Sequence, residues 1–391
     1  MPPLDLTDPW LDDLVALRRD IHAHPELGFE ETRTSALVAE RLAEWGLEVD
    51  RGLGGTGIVG TLRGAAPGPA VALRADMDAL AMPELATDRP YRSTVAGKMH
   101  ACGHDGHTVM LLGAARAMAG APPPAGTVHF VCQPAEEGRG GARRMIEDGF
   151  FERFPVDWVF GLHNIPGLDP DTIAVVPGPQ LASSDSWEVV FEGPGTHGAK
   201  PHLGDDAMTA AGHFLSVLHT AVARRIDPLQ PSVVSACSIV GGDPEAWNVI
   251  PDRVQVRGTA RAYAPKVRDR LEAEIGRLAR GTAETFGIAA HYRFIRRIAP
   301  VVNDAGATAI ARAAAEAVAA RVVEDFPPST AGDDFAEFSA RAPGCYVWLG
   351  NGPARDGALH HNGRYDFDDR AIATGVSWWV RVAQQALSSA S

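Results

Sequence analysis

The chain has 391 residues, 45% hydrophobic and 22% charged, enough for two domains with real cores. A formal net charge of −13 leaves no basic surface to follow a phosphate backbone, so nucleic acid is excluded as an expected partner. There is no run of 18 apolar residues, so no membrane span is expected. The opening MPPLDLTDPW has neither the basic start nor the apolar centre of a signal peptide. The four cysteines, Cys102, Cys132, Cys237 and Cys345, are too irregularly spaced for a disulfide framework and fit a reducing cytoplasm.

In chain order, Leu11–Ala23 and Thr32–Trp45 carry apolar residues at helical spacing, with Gly46 as a stop. GIVGTLRG and AVALRADMDAL read as strands. Asp105–Ala119 predicts a helix, GTVHFVCQPAEEG a strand ending in a turn, Gly141–Asp148 a helix and Val156–His163 a buried strand. Strands alternating with helices predict an α/β domain with a mixed, mostly parallel sheet flanked by helices. From Ser183 the pattern changes. The strand SWEVVFEG, a helix over Asp206–Val222, the strands SVVSACSIVGG and RVQVRGTARAY, a helix over Val267–Phe286 and the strand HYRFIRRI follow in the order β-α-β-β-α-β. That order predicts an inserted ferredoxin-like α+β domain over 183–298. Residues 1–182 and 299–391 would form the first domain, closed by a helix over Ala305–Ala320, a strand over Cys345–Gly350 and a helix over Asp368–Ala386.

Four places set chemistry-bearing side chains at strand ends or turns. They are Cys102-Gly-His104-Asp105, the pair Glu136-Glu137, His163 in VFGLH, and His360-His361 in ALHHNGRYDF. Ligands of open α/β sheets gather at the carboxyl ends of the strands, so one shared site is expected. Thiolate, imidazole and carboxylate together suit zinc or another first-row divalent ion. Singly the signals are weak. A lone histidine at a strand end is usually a satisfied core or surface residue, adjacent glutamates usually mark a solvated turn, and a lone cysteine is usually a buried apolar thiol. Their joint placement is the stronger signal.

These stretches belong to a longer series of markers: RRDIHAHPELGFEE, LRADMDAL, MHACGHDGHT, QPAEEG, GLHN, THGAKPH, NVIPD, GDDF and LHHN. In this order the chain resembles, over nearly its whole length, the dimetal aminoacylase and carboxypeptidase G superfamily. Within it, the similarity is to the N-acyl-amino-acid amidohydrolase and hippurate hydrolase branch.

The resemblance implies a two-metal site with ligands Cys102, His104, Glu137, His163 and His360, and Glu136 as general base. It implies two divalent ions per subunit, zinc first, with manganese, cobalt or nickel open. The implied reaction is hydrolysis of the amide of an N-acyl amino acid, acetyl or benzoyl, to a free amino acid and a carboxylic acid. The alternative is a dipeptidase or carboxypeptidase acting on short peptides with the same site. A binding protein without activity is a third reading, which would require a lost ligand or base. His197 matches an oxyanion-stabilising histidine and Asn248 a residue near the substrate carbonyl or carboxylate. Arg261 is a candidate for holding a substrate carboxylate. The inserted domain is implied to act as a lid and to build a homodimer, with a tetramer open. Two features depart from the pattern. The proline that usually follows LHN is missing, so either His360 or His361 could be the ligand, the preceding leucine favouring His360. Asp333 stands where the family often has glutamate. Asp76 and Asp78 are candidates for orienting ligand imidazoles.

Overall fold

AVAL (70–73), which opens the stretch AVALRAD (70–76), is apolar toward both sides of its chain, the pattern of a strand covered on both faces. The stretch forms the buried end of the strand Ala66–Asp76. The computed structural model describes residues 9–354 and 357–389. The first eight residues, most of the stretch read for a leader, lie outside the described residues. The chain divides into two units. The larger comprises Met1–Gln180, Val302–Pro327 and Asp333–Ser391, the smaller Leu181–Val301 and Pro328–Gly332.

The larger unit is a mixed α/β unit. Its eight-stranded sheet runs Glu48–Leu53, Gly57–Arg63, Ala125–Gln133, Ala66–Asp76, Trp158–Ile165, Gly344–Gly350, Thr172–Ala174, Arg321–Val323. The four strands from Ala125–Gln133 to Gly344–Gly350 are mutually parallel, and antiparallel pairings flank them on either side. The edge strand Glu48–Leu53 was not legible, because it is largely exposed and EVDRGL does not alternate. Thr172–Ala174 and Arg321–Val323 are too short to show a period.

Helices Pro9–Ala23, Thr32–Glu44, His104–Gly120, Ala305–Glu316 and Ala371–Ser389 share one apolar core with the sheet. His104–Gly120 is buried nearly all round, as an apolar helix inside a larger core must be. Phe130, Phe160, Trp378 and Trp379 are fully buried; truncating any of them to alanine would cost about 3–5 kcal/mol.

The smaller unit holds an antiparallel four-stranded sheet in the order Ser232–Gly241, Arg253–Ala262, Ser184–Glu192, Ala289–Ile298. With helices Ala207–Leu218 and Pro265–Phe286 it makes the succession β-α-β-β-α-β. Asp206 starts the first helix by accepting from the Thr209 N–H at 2.9 Å, an N-cap. The expected helix over Asp206–Val222 is interrupted at His219, with Ala207–Leu218 followed by a short helix, Thr220–Ala223. There Thr220 Oγ1 donates to the Val217 carbonyl at 2.6 Å, a local bond that competes with continued helix. No helix among the described residues is long and apolar enough to cross a membrane.

Candidate metal centre

The site forms where the central parallel strands end. Asp76 stands opposite Gln133 at the carboxyl ends of their strands, Glu136 and Glu137 follow in the next turn, and His163 lies near the end of Trp158–Ile165. Helix His104–Gly120 begins at the same edge. Its start depends on Gly103, whose φ of +90° is left-handed and whose missing Cβ would otherwise collide with the Asn164 amide and the Tyr365 hydroxyl.

Two donor groups share one sulfur. Cys102, His104 and His163 present ligand atoms within 4.8 Å of one another, and so do Cys102, Glu137 and His361. Cys102 Sγ is 3.4 Å from His163 Nε2, and Glu137 Oε1 is 3.2 Å from His361 Nε2. His104 also groups with Glu136 and Glu137. Of the two adjacent histidines, His361 is the one placed with Cys102 and Glu137, through a left-handed φ of +60°. Those two neighbours hold its pKa up to about 10. His360 joins no donor group among the described residues. Its Nε2 donates to Asn164 Oδ1 at 2.9 Å, and burial pushes its pKa down to about 3. The sequence held a signal for His361: read as His-Asn followed by Gly363 in place of proline, it fits the family pattern better than His360 does.

The ring orientations are set from behind. His104 Nδ1 donates to the Asp78 carbonyl at 2.8 Å, leaving its buried Nε2 without a hydrogen-bond partner. Asp78 also accepts the Glu137 N–H at 3.0 Å. His163 Nδ1 donates to the Asn164 carbonyl at 2.7 Å, turning Nε2 toward Cys102. Asp76 holds His107 Nδ1 at 2.6 Å, and the His107 ring lies 4.5 Å from that of His163. Carboxylates and carbonyls behind imidazoles are what fixes metal-binding histidines. The donor set fits a cation: burial, with Glu137 alongside, pushes the Cys102 thiol up, so its thiolate calls for positive charge nearby.

Glu136 is buried beside Asp333 and Asp334. Burial, reinforced by Asp333 and Glu137, pushes its carboxyl well above the usual carboxylate range. The balancing cation is Arg74, which the sequence reading missed. Fully buried, it reaches Gln133 Oε1 at 2.7 Å, Asp76 Oδ2 at 2.8 Å, Asp333 Oδ1 at 3.0 Å and Asp334 Oδ1 at 3.1 Å. Tyr346 Oη donates to Asp333 at 2.7 Å. The RRDIHAHPELGFEE marker also acquires roles. His22 Nδ1 and Arg18 hold Asp105, in the first turn of the helix behind His104, at 2.8 and 3.3 Å. Glu31 accepts the Ala135 N–H at 2.8 Å, fixing the turn that precedes Glu136.

In the smaller unit, His197 pairs with Val249 on a two-stranded ribbon, and the Gly198 N–H donates to the Asn248 carbonyl at 2.6 Å. His197 and Asn248 are therefore exposed neighbours. Arg261 spends Nη1 on its own strand, donating to Thr259 Oγ1 at 2.5 Å and the Ala260 carbonyl at 3.0 Å.

Paired donor groups at the carboxyl edge of a parallel sheet, with an extra buried carboxylate beside them, define a metal-dependent hydrolase. Residues 72–385 match the model of peptidase family M20/M25/M40, and the chain belongs to that family. It is 36% identical over 372 residues to an N-acetylcysteine deacetylase of Bacillus subtilis, covering 95% of this chain and 96% of that one. It is 37% identical over 370 residues to a hippurate hydrolase of Campylobacter jejuni, covering 94% of each. A crystal structure described as a dinuclear metal-binding peptidase of the M20 family, from Bacillus subtilis, superposes with a TM-score of 0.85 at 33% identity, covering 97% of this chain and 99% of that one.

Proposed function

We propose that the protein hydrolyses the amide bond of N-acyl amino acids, releasing an amino acid and a carboxylic acid. In this reading Cys102, His104, Glu137, His163 and His361 would hold two divalent ions. The observation that carries it is the pair of donor groups meeting at Cys102 with Glu136 alongside. Relatives named for N-acetylcysteine deacetylation and hippurate hydrolysis support the substrate class. Bound there, two divalent ions supply charge stabilisation at the scissile carbonyl and an acidified water. Glu136 would accept a proton from the attacking water and deliver it to the leaving amine. A carboxylate beside the donor groups is placed both to accept and to deliver a proton, a contribution of about 10²–10⁴-fold. Arg74 keeps the surrounding carboxylates compatible with burial. His361 takes the place assigned to His360 from the sequence, because the Nε2 of His360 is committed to Asn164.

Zinc is the assigned metal, since a thiolate among imidazoles suits it best, and manganese, cobalt and nickel are the competitors. His197 and Asn248 are assigned to the oxyanion and to the substrate's carbonyl or carboxylate. The smaller unit is assigned to a homodimer. Four unpaired cysteines support a cytoplasmic setting.

Glu136→Gln should lower kcat at least 100-fold while two equivalents of metal remain bound. Full turnover in that variant would remove Glu136 from the mechanism. A panel of N-acetyl, N-benzoyl and dipeptide substrates separates acyl-amino-acid hydrolysis from peptidase action. Sedimentation separates dimer from tetramer.

A further inference from the structure

Asn164 follows His163 on its strand and is fully buried. Every polar atom it has is engaged. Its Nδ2 donates to the Cys102 carbonyl at 2.6 Å and to His107 Nε2 at 3.0 Å. Its Oδ1 accepts from Tyr365 Oη at 2.7 Å and from His360 Nε2 at 2.9 Å. Its backbone N–H donates to His107 Nε2 at 3.0 Å, and its carbonyl accepts from His163 Nδ1 at 2.7 Å.

The partners belong to separate segments. One is the loop that carries Cys102. Another is the helix that carries His104, reached through His107 one turn on. A third is the 360–365 loop that carries His361, reached from both sides. The fourth is the strand of His163 itself. The Cys102 loop adjoins the His104 helix, but the bonds from Asn164 to these and to the 360–365 loop span 57 to 201 residues of chain. The same amide presses against Gly103, where a Cβ would displace it.

We propose that Asn164 is a positioning residue for the metal centre. One side-chain amide fixes the segments of four donors, Cys102, His104, His163 and His361, relative to one another, without itself touching an ion. The inference rests on the two-ion reading above. The amide suits the task because it offers two donors and two acceptor lone pairs in one plane, which no other side chain of that size does. Aspartate keeps the shape and the acceptors facing Tyr365 and His360. It loses both donors, so the Cys102 carbonyl loses its buried partner and His107 Nε2 keeps only the backbone N–H of residue 164. Leucine removes all four side-chain bonds at similar volume.

The test is zinc titration of the full-length protein against a competing chelator for the wild type, Asn164→Asp and Asn164→Leu. Thermal unfolding of the metal-free forms and kcat and KM on an N-acetyl amino acid accompany it. Zinc affinity should fall about 10- to 100-fold in Asn164→Asp, as for other groups that support metal ligands, and further in Asn164→Leu. kcat at saturating zinc should fall in the same order, with KM changing less. A lowered Tm with wild-type zinc affinity and kcat would mean a merely structural role and would overturn the proposal. If Asn164→Leu fails to fold, Asn164→Asp decides alone. A wild type that binds fewer than two zinc ions would overturn the two-ion reading together with this one. Two tight ions in the wild type and in Asn164→Asp alike would overturn only the role of Asn164.

Discussion

Replacing Arg74 with methionine should destabilise the protein by about 4 kcal/mol. The guanidinium is 1% exposed and faces three buried carboxylates, at 2.8 Å from Asp76, 3.0 Å from Asp333 and 3.1 Å from Asp334. Methionine fills most of the same volume, so the effect is electrostatic more than a cavity. Removing one member of a buried ion pair costs about 3–5 kcal/mol, because the other charge is left uncompensated. Three orphaned carboxylates argue for the upper end. The bonds that Asp333 keeps to Tyr346 and Asp334 to the Ala142 N–H argue against more. A loss of that size is a large share of the roughly 5–15 kcal/mol that holds a typical protein folded. Urea unfolding at fixed pH and metal concentration measures it. The reasoning also fixes a coupling. Burial pushes the carboxyl of Asp334 up to about 8, with Arg74 opposing and Asp333 adding, so its charge depends on Arg74. Asp334→Asn should therefore recover 1 kcal/mol or more in the Arg74→Met background, within the roughly 0.5–3 kcal/mol typical of contacting residues. A loss below about 1 kcal/mol for Arg74→Met, or strictly additive effects, would refute the account.

Two more outcomes follow from residues behind the donors. Burial alone would lower the pKa of His22, but its bond to Asp105 prevails and raises it to about 9. A raised folded pKa means stability fully present below the unfolded value of 6.5 and lost as pH rises through 9. That span corresponds to about 3 kcal/mol. Chemical denaturation between pH 6 and 10 should show the decline, and His22→Gln should flatten it; an unchanged slope in that variant would exclude His22 as its source. Gly103→Ala meets both a left-handed φ and the Asn164 and Tyr365 side chains. It should lower stability by about 2 kcal/mol or more and reduce bound zinc, read by calorimetry and metal analysis. Wild-type zinc content in a folded Gly103→Ala would contradict the packing described.

The sheet's central strands were legible because runs such as AVALRA and VHFVC admit no exposed face. The edge strand Glu48–Leu53 was not, since its exposed residues leave no alternation to read. Donor residue types at strand ends announced a site, and the markers gave their order. The supporting groups stayed hidden for a physical reason. Arg74 and Asn164 act through partners up to 260 and 201 residues away, which no local pattern encodes. That His361 lies with Cys102 and Glu137 while His360 does not depends on one left-handed backbone angle, invisible in two identical letters.

Because the Cys102 sulfur belongs to both donor groups, the two proposed cation positions are wired in common. An electrophile or oxidant that captures this one atom would, on the proposed reading, strip a ligand from each position at once. Inactivation would then register as a switch thrown for the whole centre, with no half-loaded form to slow the decline.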